Sequence, residues 1–161
     1  MPLEYAVSLD PGIETGWCVW SLPAWRIVAA GVAAPRDRSA TWEVRAREVW
    51  AGLRRVFFRT GRCRVVYSEW PEFYDNCGGH VTARNGDLIK LTAMAGLGMC
   101  LAFQVGAKFV PIPVHTWKGT LPKRVTVSRC QKRLSPAECR LLKTHSWDAA
   151  GIGLWAKEHL A

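Results

Sequence analysis

The sequence predicts one α/β domain over residues 1–161, a mixed five-stranded sheet flanked by helices. Three observations carry that prediction. Five short β-rich runs are present, helical patterns fall between and after the later runs, and turn signals tie the first three runs closely together.

Glu4 to Leu9 (EYAVSL) is β-rich and stops at Asp10-Pro11-Gly12, a turn signal. Thr15 to Trp20 (TGWCVW) and Trp25 to Ala33 (WRIVAAGVA) are the second and third strands, and their short connections predict an antiparallel meander. After a loop from Ala34 to Ala40, the apolar positions Trp42, Ala46, Val49, Trp50, Leu53, Val56 and Phe57 recur at helical spacing. Glu43, Arg47, Glu48, Arg54 and Arg55 fall on the opposite face. Cys63 to Tyr67 (CRVVY) reads as a central strand delivering Ser68 and Glu69 at its C-terminal end. The stretch from Trp70 to Gly86, rich in Gly, Asn and aromatics, reads as a lid or wedge loop. Asp87 to Gln104 is apolar on nearly every face, so that helix is expected to be covered on two sides, by the core and by a second subunit, with Gly96 and Gly98 permitting close approach. Lys108 to Ile112 is the last strand, and a basic stretch leads to a final helix from about His145 to Glu158. The predicted order is β-β-β-α-β-α-β-α.

Composition narrows the partners. An apolar content of 49% in 161 residues suffices for a real core. With no run of about 18 uncharged apolar residues and no leader pattern, neither a membrane span nor secretion is expected. The six cysteines form no C-x-x-C pair and no zinc spacing, so they read as reduced core thiols in a cytoplasmic protein. The net charge of +9 favours a polyanionic partner, and Lys108 to Lys143, with nine basic residues against Glu138, holds +8 of it.

Phosphodiester cleavage needs an activated water, a stabilised leaving oxyanion and charge neutralisation, which two Mg²⁺ or Mn²⁺ ions held by convergent carboxylates can supply. Asp10 ends the first strand, Glu69 the fourth, and His145 and Asp148 share one face of the final helix. They can meet if the first and fourth strands are neighbours. Each also has a bland explanation: a turn residue for Asp10, a solvated strand end for Glu69, a capping or core histidine for His145. Asp148, in an otherwise apolar helix, needs a partner if buried, and a metal is the economical one.

Asp10-Pro11-Gly12 with Gly16, Tyr67-Ser68-Glu69, and His145-Ser146-Trp147-Asp148-Ala149-Ala150 fall in the order and spacing of RuvC-type resolvases, and the chain resembles RuvC-like Holliday junction endonucleases from its first strand to its last helix. The resemblance implies a ribonuclease H-like fold, a homodimer, two divalent ions per site, and paired symmetric nicks in a four-way DNA junction. By position Asp10 would bridge both ions, Glu69 would hold one and Asp148 the other. His145 falls where the family uses Asp or His; as a neutral ligand it would let Mn²⁺ serve at least as well as Mg²⁺, or it would instead position the attacking water. Phe73 and Tyr74 fall near the family's aromatic wedge, Phe73 one residue late, and could equally cover the core edge. Trp117, Lys118, Lys123 and Arg124 are the expected DNA contacts, although Pro113 to Lys123 leaves the family pattern, as in a divergent, for instance phage-encoded, member.

Two further enzyme readings stay beside this one, a nuclease acting on flaps, forks or RNA hybrids and the sugar kinase or actin-like ATPase fold. The latter needs a second phosphate loop that is not present here, so no nucleotide cofactor is expected. A catalytically inactive junction-binding module is the non-enzyme reading.

Overall fold

The computed structural model describes residues 3–72 and 86–161. Its strands are β1 (Glu4–Asp10), β2 (Thr15–Leu22), β3 (Arg26–Ala33), β4 (Arg62–Trp70) and β5 (Lys108–Pro113). They form one sheet in the order β3-β2-β1-β4-β5. The first three are an antiparallel meander, while β4 and β5 run parallel to β1 and to each other. Helix α1 (Trp42–Arg59) returns the chain from β3 to β4, and α2 (Asp87–Gln104) precedes β5.

Alternation along the central strands assigns the two faces. Val7 and Leu9 of β1 and Val66 of β4 pack with Val49, Leu53 and Phe57 of α1 and Met94 and Leu101 of α2. Ala6 of β1 and Tyr67 of β4 point the other way, into a cluster with Trp20 of β2 and Ala149, Ala150 and Ile152 of the last helix. The result is a three-layer sandwich in which Asp10 and Glu69 lie on the same side as Ala6 and Tyr67. Trp20, fully buried, donates its indole N–H to Ser8 Oγ at 2.8 Å, so these two buried polar groups satisfy each other.

Helix α2 matches its expected limits. Gly98 permits its close approach to the sheet, since a Cβ there would stand 2.8 Å from Leu9 Cδ1. Gly96 faces open space instead. With a mean hydropathy of 1.2 over 18 residues, α2 is long and apolar enough to cross a membrane. Its Met94, Ala95 and Leu101 nevertheless belong to the core, and Asp87 and Lys90 form a 3.9 Å ion pair in its first turn.

The basic stretch departs from expectation. It folds into α3 (Val114–Trp117), α4 (Lys123–Gln131) and α5 (Pro136–Leu141) before α6 (Ser146–His159). Ser135 and Glu138 form a capping box at the start of α5. Glu138 also turns its other oxygen to the sheet, accepting the Ile27 N–H of edge strand β3 at 2.9 Å. The cysteines are likewise not all core thiols: Cys18, Cys63 and Cys130 are buried, but Cys100 is exposed on α2. Cys77 lies outside the described residues.

Candidate active site

Three segments converge at the C-terminal edge of β1 and β4. Leu9 is in register with Ser68, so the next residues, Asp10 and Glu69, lie side by side near the C-terminal ends of β1 and β4. The loop after Asp10 is pinned by Thr15, whose hydroxyl donates to Gly12 O at 2.6 Å. Asp10 is paired with Gly16 of β2, and there the glycine is obligatory: a Cβ would stand 2.2 Å from the backbone oxygen of His145. That absence of a side chain lets the start of α6 rest directly against β2 and brings its first turn to Asp10.

Ligand-capable atoms of Asp10, His145 and Asp148 all lie within 4.8 Å of one another. His145, the residue before α6, places Nδ1 3.4 Å from Asp10 Oδ2 and Nε2 3.7 Å from Glu14 Oε2. Glu14, which sequence reasoning passed over, also pairs with Arg38. Glu69 stands beside this group rather than within it, its Oε2 accepting the indole N–H of Trp117 at 3.1 Å. Near the end of the same strand, Glu72 bonds His115 Nδ1 at 2.8 Å and ties β4 to α3, another contact the sequence did not reveal.

The remaining expected residues divide. Trp117 is not on the surface: it is only 9% exposed, its ring against Gly151 of α6 and its N–H on Glu69. Lys118 and Lys123 face the acids, with Lys118 Nζ 3.2 Å from Asp148 Oδ1 and Lys123 Nζ 3.0 Å from Oδ2. The Asp148 side chain is 6% exposed, so the partner its burial demands is this pair of ammonium groups, where the sequence pointed to a metal. Arg124 is exposed on α4. Phe73 and Tyr74 lie outside the described residues.

Crowding of acids in a poorly solvated place governs their titration. Burial pushes Glu69 up to about 7, reinforced by the neighbouring Asp10 charge. Burial also raises Asp10, with the His145 hydrogen bond opposing and the Asp148 charge adding to it. His145 is raised by its hydrogen bond to Asp10.

Each of these three groups binds its proton more tightly folded than unfolded, so each contributes stability below its unfolded pKa that is lost as pH rises through its folded one. For Glu69 that window runs from about pH 4.5 to about pH 7, so melting followed in EDTA should show stability falling across it by at most about 3 kcal/mol. Glu69→Gln should flatten the slope. A slope unchanged by that substitution would mean that Glu69 titrates normally.

The sequence matches no protein-family model and no curated protein. Among solved structures, it is similar to Thermus thermophilus RuvC in complex with a Holliday junction substrate, with a TM-score of 0.71 and 20% identity, over 94% of this chain and 91% of that one. A second Thermus thermophilus RuvC structure aligns with a TM-score of 0.63 and 17% identity, over 94% and 92% of the two chains. The strand order, the parallel entry of β4 beside β1 and the helix bearing Asp148 thus form a ribonuclease H-like fold, the fold of RuvC.

Proposed function

We propose that the protein is a metal-dependent endonuclease that resolves four-way DNA junctions by paired, symmetric nicks. The observation that carries this reading is the convergence of Asp10, His145 and Asp148 within 4.8 Å at the sheet edge of a RuvC fold. The junction enters from the neighbour, whose structure holds a Holliday junction substrate.

The donor set suits hard divalent ions. Oxygens of Asp10 and Asp148 with one imidazole nitrogen, and the Glu69 carboxylate beside them, would suit Mg²⁺ or Mn²⁺, and the raised Asp10 and Glu69 mark acids whose charges want a cation. Two ions would supply charge neutralisation and a nucleophilic water at neutral pH. The residues do the rest. Asp10 and Asp148 would hold cations from opposite elements, and Trp117 fixes the Glu69 carboxylate by one oxygen, the other having no hydrogen bond among the described residues. Lys118, Lys123 and Arg124 offer positive charge to the backbone phosphates. His145 is a neutral nitrogen ligand once a cation balances Asp10.

A cleavage assay with Mn²⁺ or Mg²⁺ on a four-way junction, a fork, a flap and a linear duplex at equal concentration tests the reading. Preferred, symmetric cutting of the junction supports it. Equal cutting of flaps or forks replaces it with a broader branched-DNA nuclease, and binding without cutting leaves a junction-binding module. The compartment that fits a DNA enzyme with these free thiols is the cytoplasm.

Two sites in register on one junction call for a homodimer, and α2 has the face for it. Ile89 is 73% and Phe103 62% exposed on α2, with Gly96 open between them. A second copy packed there would cover this apolar stripe. Sedimentation should give a dimer for the native chain and a monomer for the Ile89→Glu, Phe103→Glu double variant. A native monomer at micromolar concentration would remove this dimer.

A further inference from the structure

We infer that Lys118 and Lys123 are exchangeable counter-ions of Asp148, so that metal binding and phosphate binding at this site promote each other. This rests on the metal-dependent reading above and adds a coupling to it. Both carboxylate oxygens of Asp148 are taken, Oδ1 by Lys118 at 3.2 Å and Oδ2 by Lys123 at 3.0 Å. The Asp148 side chain is 6% exposed, so water contributes little to balancing its charge. A divalent ion that coordinates Asp148 must therefore share its oxygens with the two ammonium groups, and their mutual repulsion favours the departure of a lysine.

The two lysines are held differently. Lys118 is 24% exposed and its ammonium lies 5.4 Å from the centroid of the Trp117 ring, a second attraction that keeps it at the site. Lys123 is 45% exposed and is the first residue of α4, where the positive end of the helix disfavours a cation. Asp148 is what offsets that disfavour. Lys123 is accordingly the one to leave first.

A nucleic-acid phosphate supplies a displaced lysine with a new anionic partner. Phosphate arriving at Lys123 thus frees an oxygen of Asp148 for the metal, and metal arriving at Asp148 frees an ammonium for the phosphate. The coupling is reciprocal by thermodynamic necessity. The protein alone would hold its metal weakly and the protein on its substrate would hold it well.

Calorimetric titration of the full chain with Mn²⁺, without DNA, tests the exchange. Lys123→Met should tighten Mn²⁺ by about tenfold and Lys118→Met by a similar factor, as expected for removal of one partly buried ion pair. Lys132→Met removes the same charge from the exposed end of α4 and should change Mn²⁺ affinity by less than about twofold. Lys123→Met alters an exposed side chain and so serves even if Lys118→Met does not fold. Junction affinity measured by anisotropy with Ca²⁺ and with EDTA reads the reciprocal effect. The native chain should bind more tightly with Ca²⁺, and Lys123→Met should lose most of that gain.

Unchanged or weaker Mn²⁺ binding in Lys123→Met overturns the exchange while leaving the nuclease reading intact. So does an equal gain in Lys132→Met, which would be a general field effect. Absence of Mn²⁺ binding in every variant overturns both.

Discussion

Asp10→Asn is expected to slow junction cleavage by roughly 1,000-fold or more, about 4 kcal/mol of barrier, while junction binding stays near native strength. The substitution removes a charged ligand and leaves the lysines and Arg124 in place. Asp148→Asn should be equally inactive, and the two variants separate in stability. Asp10 is an acid whose burial already disfavours its charge, so the metal-free Asp10→Asn protein should melt at or slightly above the native temperature. Asp148→Asn instead strips the shared partner from Lys118 and Lys123 and should cost about 1–2 kcal/mol, discounted for the exposure of the lysines. Opposite signs in calorimetry, with equal loss of cleavage, would locate the effect in charge rather than folding. Substantial cleavage by either variant would sink the carboxylate site.

Gly16→Ala carries the largest expected structural penalty. Its Cβ would overlap the His145 carbonyl, a backbone atom that no rotamer change can move aside. Relief requires shifting the start of α6, and overpacking of this kind costs about 3 kcal/mol. The same shift would draw His145 and Asp148 away from Asp10, so metal affinity and cleavage should fall even where the protein remains folded. Thermal melting and Mn²⁺ titration on the same preparation check both. A stable Gly16→Ala variant with native metal affinity would refute the contact.

Where a segment's fate depends on its own apolar pattern, the sequence foretells its limits. β1 to β5, α1 and α2 come within a few residues of their expected limits, since each carries a burial periodicity that tertiary packing then uses. The three helices between Val114 and Leu141 were missed for the converse reason. In α4 only Thr126 and Cys130 are buried, and a charge-rich surround hides a two-residue stripe. For α5 a signal was present, the Ser135-Pro136-Ala137-Glu138 capping box, and it could have been read.

The candidate site divides in the same way. Asp10 and Glu69 were legible as acids at strand ends, and Asp148 as an acid in an apolar helix. The environment of each was not. Trp117 looked like a surface aromatic because Lys118 follows it, whereas the fold turns its ring inward to Gly151 and its N–H to Glu69. Lys118 and Lys123 were legible as cations, but their aim at Asp148 depends on where α3 and α4 place them, which the sequence alone does not set.

The double use of Glu138 reaches beyond capping one short helix. Edge strands expose amides that can recruit a strand from another molecule, and such recruitment is a route to aggregation. By accepting the Ile27 N–H, Glu138 takes one of those amides out of play and sets α5 beside β3 as a shield. A chain trimmed of α5 would keep every acid of the candidate site and lose its protection against self-association through the sheet.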